Sequence, residues 1–312
     1  MIQRPVHKAH MSKPALLVHP PLGLFEMRLV DYDVVHWPTD RSDIRAAVTI
    51  GHVGISNSMI DALPELKCIV CFGVGVDGID RTYAEKRGVS ITHGREINHE
   101  DVADVAIGLM IARHRLFTEG EKVLRNGTWT PPLAVPPQKR IRGRKVGIVG
   151  MGAIGAAVAE RAQAFGTEIK WYGPRPKPDV RYPYEPNLLQ LATWADVLII
   201  CARGDKSTEN LISADIIHAL GGDGVLINIS RGNVIDEDAL IAALKSGALG
   251  SAGLDVFVEE PTPTSRWADV PNCTLTPHLG GGTREALYAG SQNVLENLRR
   301  FYAGEELLTP LA

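Results

Sequence analysis

The hexapeptide Gly150-Met151-Gly152-Ala153-Ile154-Gly155 constrains the fold of this chain more than any other feature. It stands at the end of the apolar segment KVGIVG and opens the helical segment AAVAERAQAFG. In such a strand–turn–helix unit the first glycine permits a tight turn, the second lets a pyrophosphate approach the backbone, and the third lets helix and strand pack closely. Free N–H groups at the helix start bind the anion. The motif therefore predicts a dinucleotide-binding domain.

Two series of short apolar segments alternate with helical candidates along the chain. The first series consists of ALLVHP, YDVVHW, AAVTIGHVG, LKCIVCFG and GVSITHG, with helical candidates at 58–63 and 81–87. The second begins at Lys145 and consists of KVGIVG, EIKWYG, DVLIICA, GVLINIS, SAGLDVF and CTLTPH. This alternation predicts an α/β protein with two Rossmann-like or flavodoxin-like domains, each a doubly wound parallel sheet.

The stretch between the two series predicts one long helix and an extended arm. Apolar residues recur at helical spacing over 101–126, and the pattern breaks at Gly127. The following NGTWTPPLAVPPQKRIRG is rich in proline and lacks periodicity, so we interpret it as an arm or loop. A final helix over 284–302 would carry the chain back to the first domain.

Composition excludes several classes of partner. The formal net charge is -3, which gives no electrostatic reason to expect nucleic acid or an acidic membrane surface. The longest apolar runs, such as 102–112, fall short of a membrane span. We expect a cytoplasmic protein, and we interpret residues 1–12 as a loose extension with no targeting role.

The four cysteines are typical of buried thiols in a reducing compartment. They are Cys68, Cys71, Cys201 and Cys273, and most lie in apolar runs. Cys68 and Cys71 form a CxxC pair, but within LKCIVCFGVG they would point to opposite faces of a strand. No second cysteine pair or histidine cluster completes a zinc site, so no metal is expected.

The end of the second Rossmann strand favours NADP(H) over NAD(H). Gly173 stands where an acid would bond the ribose 2′-hydroxyl, and it precedes Pro174, Arg175 and Lys177. An acid would repel a 2′-phosphate, whereas Arg175 can clamp one with two hydrogen bonds. The alternative is that this turn is merely a solvated surface.

Three polar residues follow successive strands of the second series. Arg231 follows the segment GVLINIS, Glu260 follows SAGLDVF, and His278 ends the segment CTLTPH. All three would lie at the carboxyl edge of the sheet, where open α/β sheets bind ligands. Arg231 would hold a carboxylate and polarise a carbonyl, and His278 would donate a proton to the carbonyl oxygen. Glu260 would favour the protonated imidazole and orient it. Each residue alone has an ordinary structural explanation, but their joint placement predicts hydride transfer to a 2-keto acid.

The chain resembles the D-isomer-specific 2-hydroxyacid dehydrogenase family over nearly its whole length. The matching stretches are LPELKCIVCFGVGVDGID, NHEDVADVAIGLMIA, VGIVGMGAIG, INISRGNVIDEDALIAALKSG, AGLDVFVEEP and LTPHLGG. The resemblance implies a discontinuous substrate-binding domain at 13–97 and 287–312 and a dinucleotide-binding domain at 98–286. It also implies an active site in the interdomain cleft and a homodimer.

The family pattern assigns further site residues. Val74 and Gly75 would offer N–H groups to the substrate carboxylate, and Trp129 resembles a tryptophan that reaches into the partner subunit's active site. Glu260, directly before proline, matches the catalytic acid better than Glu259 does. The remaining residues implied to bind cofactor, besides the glycines, Pro174 and Arg175, are Ala153, Ile154, Cys201, Ile229, Ser230, Arg231, Asp255, His278 and Gly280. Asp255 would bond the nicotinamide carboxamide.

Two departures from the family pattern matter. The usual acid after the second Rossmann strand is missing, and CARGDKSTENLI lacks the common proline, which leaves the contacts of Ala202 and Arg203 open. The chain looks most like the NADPH-dependent glyoxylate/hydroxypyruvate reductases. Alternatives are a reductase of hydroxyphenylpyruvate or another 2-keto acid, and a non-catalytic nucleotide-sensing protein on the same fold. Retention of Arg231, Glu260 and His278 together favours an enzyme.

Overall fold

The computed structural model describes residues 13–132 and 135–311. The predicted extension at residues 1–12 lies outside the described residues. The chain divides into two compact units, one with the residues up to Ile97 and from Leu287 onward, the other with Asn98–Ala286. Each unit holds one sheet of parallel strands between helices, so the predicted α/β class with two Rossmann-like domains is confirmed.

Strands and helices follow one another along the described chain much as the apolar segments predict. In chain order they are β1 (Ala15–His19), β2 (Asp33–His36), β3 (Ala46–Ile50), α1 (Asn57–Ala62), β4 (Cys68–Phe72), α2 (Arg81–Lys86), β5 (Ser90–Thr92), α3 (His99–Arg115), α4 (Phe117–Arg125), β6 (Lys145–Val149), α5 (Ala153–Ala164), β7 (Glu168–Tyr172), α6 (Leu188–Trp194), β8 (Val197–Ile200), α7 (Ala214–Leu220), β9 (Val225–Asn228), α8 (Glu237–Ser246), β10 (Ser251–Leu254), α9 (Thr264–Trp267), β11 (Cys273–Leu275) and α10 (Arg284–Ala303). Short 3₁₀ turns lie at Gly23–Arg28 and Gly232–Val234.

The first unit has five parallel strands in the order β2-β1-β3-β4-β5, which is the flavodoxin-like order. Strand β4, between β3 and the edge strand β5, is buried on both faces. Cys68 packs in the cluster that includes Val294 and Leu298 of α10, whereas Cys71 packs in the cluster of α1 on the other face. The prediction that these two thiols are buried on opposite faces of a strand is confirmed.

The second unit has six parallel strands in the order β11-β10-β9-β8-β6-β7. The chain runs from β6 outward to β7 and then returns to β8 on the other side of β6. The strand order therefore reverses between β6 and β8, which is where doubly wound sheets bind their ligands. Helices α3 and α5 cover one face, and α6, α7 and α8 cover the other.

The helix predicted over 101–126 is in fact two helices. Leu116 adopts a left-handed conformation (φ +51°), which ends α3 and begins α4. The Arg113 side chain is only 1% exposed, and it pairs with Glu119 of α4 at 2.9 Å and with Thr274 of β11 at 3.2 Å. We attribute the break to this buried cation, because the turn at Leu116 brings it a carboxylate. Among the described residues, no helix combines the length and apolar character needed to cross a membrane.

Candidate active site

The turn after β6 shows why its three glycines differ in role. Gly150 has φ +96°, a conformation that side chains disfavour. A Cβ on Gly155 would overlap the carbonyl oxygen of Gly150, so the helix could not pack against the strand. A Cβ on Gly152, in contrast, would meet no described atom within 4 Å. The protein itself needs the first and third glycines, and the second faces open space that a pyrophosphate can fill.

The start of α5 leaves backbone donors for an anion. The helix begins at Ala153 without a side-chain cap at Gly152. The N–H groups of Ala153, Ile154 and Gly155 have no acceptor among the residues that the structure describes. These donors lie at the positive end of the helix dipole. The residues of this turn thus fit a dinucleotide.

The loop after β7 is tied to the glycine-rich turn by Lys177. Its Nζ donates to the carbonyl oxygen of Met151 at 2.6 Å, and the Tyr184 hydroxyl donates to the carbonyl of Gly173 at 2.8 Å. Arg175 is exposed and its guanidinium has no partner in the described part of the chain. The sequence indicated Lys177 only as a second cation, because nothing in it shows that the two loops touch.

His278 and Glu260 form a close pair at the carboxyl edge of the second sheet. Nδ1 of His278 lies 2.6 Å from Oε2 of Glu260. The other carboxylate oxygen of Glu260 accepts the N–H of Phe257 at 2.9 Å. The two side chains are 36% and 24% exposed, so the pair is accessible. Because a carboxylate only accepts, Nδ1 carries the proton and proton exchange falls to Nε2.

Asp255 holds the loop that carries His278. It is 1% exposed, and its Oδ1 accepts the Thr276 hydroxyl at 2.6 Å and the Leu279 N–H at 2.9 Å. Its Oδ2 accepts the Gly280 N–H at 2.8 Å. The backbone carbonyl of Asp255 also accepts the N–H of His278 at 2.8 Å, and His278 has φ +50°. The loop thus already occupies three of the roughly four acceptor positions of this carboxylate.

Arg231 follows β9 on a backbone that its neighbours fix. Its N–H donates to the Ser230 hydroxyl at 2.6 Å, and Asn228 Nδ2 donates to its carbonyl at 2.9 Å. The guanidinium Nη1 donates to the Ser230 carbonyl at 2.7 Å. The side chain runs across Gly204, where any Cβ would overlap it. Strands β9, β10 and β11 are neighbours in the sheet, so Arg231, Glu260 and His278 follow adjacent strand ends.

The other residues predicted to belong to the site in the second unit lie at the ends of strands of the same sheet or on the arm. Ile229 and Ser230 are buried at the end of β9. Burial raises the pKa of the Cys201 thiol to about 12, so it is a neutral lining group. Trp129 lies in an irregular segment after α4 and is 63% exposed.

The loop after β4 in the first unit exposes two unused donors. The N–H groups of Val74 and Gly75 have no acceptor among the described residues. Gly94 donates to the Gly73 carbonyl at 2.6 Å, and a Cβ on Gly51 would overlap the Gly75 carbonyl oxygen. Neighbouring backbone N–H groups that face the same side can bind an anion together. The geometry suits the carboxylate role that the resemblance implies for these two residues.

One supporting pair was not predicted. The Glu237 carboxylate accepts the N–H of Val258 at 3.1 Å and pairs with Arg266, which also reaches Asp238 at 2.8 Å. Val258 lies two residues before Glu260, so α8 braces the loop that carries it. The consecutive acids at the start of α8 are the only signal in the sequence, and they are equally typical of a helix first turn.

Comparison with known proteins decides the family. The family model of the D-isomer specific 2-hydroxyacid dehydrogenase NAD binding domain matches residues 107–280. The chain belongs to the D-isomer specific 2-hydroxyacid dehydrogenases. This dehydrogenase is 39% identical over 273 residues to glyoxylate/hydroxypyruvate reductase A of Arabidopsis thaliana, covering 88% of this chain and 87% of that protein. It is 40% identical over 268 residues to hydroxyphenylpyruvate reductase of Plectranthus scutellarioides, covering 86% and 85%.

A solved structure matches the dehydrogenase over almost all of both chains. It is an NADPH-dependent glyoxylate/hydroxypyruvate reductase from Sinorhizobium meliloti in complex with NADP and malonate, with a TM-score of 0.89 and 35% identity over 96% of this chain and 97% of that one. Family membership makes this dehydrogenase an oxidoreductase that acts on the CH–OH group of 2-hydroxy acids. Within the described residues, no group of three or more His, Cys, Asp or Glu side chains could hold a metal ion.

Proposed function

We propose that this dehydrogenase reduces glyoxylate and hydroxypyruvate with NADPH, and that His278 donates the proton. The observation that carries the proposal is the 2.6 Å pair of His278 and Glu260, on a loop that Asp255 holds. The Arabidopsis and Sinorhizobium relatives, which are named for these two substrates, support the choice. The Plectranthus relative is named for a bulkier 2-keto acid and makes hydroxyphenylpyruvate the alternative.

In the proposed reaction the protein holds the transferable proton on Nε2 of His278. The Glu260 carboxylate stabilises the imidazolium of His278 and fixes Nδ1, so that Nε2 gives its proton to the carbonyl oxygen of the 2-keto acid. NADPH, when bound, supplies the hydride. Once the proton has left, the neutral imidazole keeps its hydrogen bond to Glu260 and therefore its orientation. General acid catalysis of this kind contributes on the order of 10²–10⁴-fold.

The substrate carboxylate would be bound by two kinds of donor. Val74 and Gly75 offer backbone N–H groups, and Arg231 offers a guanidinium that also polarises the carbonyl. The Ser230 carbonyl fixes one nitrogen of that guanidinium, so the remaining N–H groups keep a defined direction. A neutral ketone has no carboxylate to accept these hydrogen bonds, so we expect it to bind weakly.

NADPH would be bound by the glycine-rich turn and the loop after β7. The pyrophosphate would lie against Gly152, Ala153 and Ile154, and the 2′-phosphate against Arg175 beside Pro174. No acid follows Gly173 in this loop until Asp179, so nothing there repels a phosphate. Cys201, Ile229, Ser230 and Gly280 would line the nicotinamide side, and Asp255 would use its remaining acceptor position for the carboxamide.

We further propose a cytoplasmic homodimer in which Trp129 reaches the partner's active site. Helix α4 has no buried residue, and it exposes Phe117 and Leu124 next to the exposed Trp129. Three exposed large apolar side chains in one stretch are typical of an interface. The four cysteines are free thiols, which suits a reducing compartment. Sedimentation of the wild type and of Trp129→Ala, together with its kinetics, tests this arrangement.

Steady-state kinetics over a panel of 2-keto acids with both cofactors test the function. We expect the highest kcat/KM with NADPH and glyoxylate or hydroxypyruvate, and the His278→Ala variant should bind NADPH normally without turnover. A preference for hydroxyphenylpyruvate would favour the alternative substrate. Tight NADPH binding without oxidation by any 2-keto acid would identify a nucleotide-sensing protein and overturn the proposal.

A further inference from the structure

His93 makes an unexplained contact with the proposed carboxylate site. It follows β5 in the first unit, and its Nδ1 lies 3.0 Å from the carbonyl oxygen of Val74. A carbonyl only accepts, so Nδ1 must carry the ring proton and donate. The ring therefore bonds the backbone of the loop whose N–H groups are unused. Neither the family motifs nor the proposed mechanism gives this histidine a role.

Because the peptide bond is planar, this contact also fixes the direction of the following N–H group. In a trans peptide the C=O and the following N–H point in opposite directions. Gly94 N–H holds the Gly73 carbonyl at 2.6 Å, and His93 holds the Val74 carbonyl at 3.0 Å. Both carbonyls are thus drawn toward residues 93–94. The N–H groups that follow them, those of Val74 and Gly75, are turned to the opposite side together.

The two carbonyls are held by different means. Gly94 acts through its backbone N–H, which only a substitution by proline would remove, whereas His93 acts through its side chain. The His93 backbone is itself fixed, because its N–H donates to the Thr309 carbonyl at 3.2 Å. Thr309 is in turn clipped to α10 by the buried Asn297, whose Oδ1 accepts the Thr309 N–H at 3.3 Å and the Leu308 N–H at 3.0 Å.

We propose that His93 is a positioning residue that aims the Gly75 N–H at the substrate carboxylate by holding the Val74 carbonyl. This inference rests on the proposed function, in which Val74 and Gly75 bind the carboxylate. Without the His93 bond, the Val74–Gly75 peptide can rotate and offer its carbonyl oxygen to the anion instead. The effect belongs to substrate binding, and cofactor binding has no part in it.

Three substitutions at His93 test the proposal. His93→Leu places a methyl group where Nδ1 stands and removes the donor. His93→Asn keeps an N–H donor, because its Nδ2 is attached to Cγ as Nδ1 is in histidine. His93→Gln keeps the amide but moves it one bond outward. The matched control is His36→Leu, which removes a similar Nδ1 bond to the Val18 carbonyl (3.1 Å) on β1 of the same unit.

The readouts are KM and kcat for glyoxylate, the Kd of oxalate in the presence of cofactor, the Kd of NADPH and the Tm. We expect His93→Leu and His93→Gln to raise the glyoxylate KM and the oxalate Kd about tenfold, with kcat and the NADPH Kd nearly unchanged. His93→Asn and His36→Leu should stay within about twofold of the wild type. Should His93→Leu fail to fold, the contrast between His93→Gln and His93→Asn decides.

Failure of the proposed function and failure of the proposed role of His93 give different results. A wild type that reduces no 2-keto acid overturns the proposed function, and the oxalate affinities still compare the variants at the carboxylate site. Unchanged KM and oxalate Kd in both His93→Leu and His93→Gln overturn the positioning role alone. Equal losses in His93→Asn, or a parallel loss of NADPH affinity, would also overturn it, because they indicate a general structural effect.

Discussion

Nδ1 of His278 lies 2.6 Å from Oε2 of Glu260, and the N–H of Phe257 holds the other oxygen of that carboxylate at 2.9 Å. One oxygen of the carboxylate is therefore held by the backbone, and the other contacts the ring. This pairing sets a negative charge beside the ring, and it leaves Nε2 as the ring nitrogen that could exchange a proton with a substrate.

Glu260→Gln should therefore lower kcat for reduction of the 2-keto acid. Glutamine can keep a hydrogen bond to Nδ1, but it carries no charge to stabilise the imidazolium that would donate the proton. We expect kcat to fall about tenfold or more, with the Kd of NADPH nearly unchanged. The control is Glu259→Gln, the adjacent exposed acid, which should keep the wild-type kcat. An unchanged kcat in Glu260→Gln would remove this acid from the proposed proton-donor role.

Asp255→Asn should misplace His278 while leaving its chemistry intact. An amide offers one acceptor oxygen, and its NH₂ would face a backbone N–H of Leu279 or Gly280, each of which donates to Asp255. Leaving such a buried donor unpaired costs about 1–3 kcal/mol. We expect kcat to fall at least about tenfold, because the loop no longer holds the ring in place. Thr276→Val removes only one donor to Asp255 and should have a smaller effect on kcat.

Gly152→Ala and Gly155→Ala should separate cofactor binding from folding. A Cβ on Gly152 meets no described atom, so the variant should keep its Tm and lose NADPH affinity by at least about tenfold. A Cβ on Gly155 overlaps the Gly150 carbonyl, so that variant should unfold at lower temperature. Thermal melts and NADPH titration measure both effects. Normal NADPH affinity in Gly152→Ala would show that the pyrophosphate does not lie against this glycine.

Arg175→Ala and Lys177→Met should differ in what they lose. Arg175 has no protein partner in the described chain, so its loss should raise the KM for NADPH about tenfold and barely change that for NADH. Lys177 holds the Met151 carbonyl of the glycine-rich turn at 2.6 Å, so its loss should raise the KM for both cofactors. Equal losses for NADPH and NADH in Arg175→Ala would refute the 2′-phosphate clamp.

The sequence could predict the three side chains at the sheet edge because parallel strands align their carboxyl ends. Arg231, Glu260 and His278 follow β9, β10 and β11, which are neighbours in the observed order. The pattern of apolar segments was enough to identify these strands. The same rule would have placed His93, which follows β5, at the edge of the first sheet, but a lone histidine there has no motif to mark it.

What the sequence could not predict depends on contacts between residues far apart in the chain. Leu116 breaks the helix although neither glycine nor proline marks the position, because the buried Arg113 needs Glu119 beyond the turn. Asp255 belongs to a family motif, yet its hydrogen bonds to residues 276–280 appear only when β10 and β11 pair. The bond from Lys177 to Met151 likewise requires two loops to meet.

The first unit should lose stability in alkali because burial raises the pKa of the thiols of Cys68 and Cys71 to about 12. Below about pH 8.5 both thiols are protonated in the folded and in the unfolded chain, so they do not make the free energy of unfolding depend on pH. Above that pH the unfolded chain releases the two protons and the folded chain retains them. Stability then falls by about 1.4 kcal/mol per pH unit for each thiol.

Cys68→Ala/Cys71→Ala should therefore be less stable at pH 7, through lost packing, and yet decline less steeply between pH 9 and pH 11. Urea unfolding midpoints measured at each pH give the two slopes. The matched control is Val70→Ala, which lies between the two cysteines on β4 and is equally buried. It should lower stability by a similar packing loss without changing the slope, since valine has no proton to release. A slope that is the same in all three proteins would show that these thiols ionise as readily in the folded protein as in the unfolded chain.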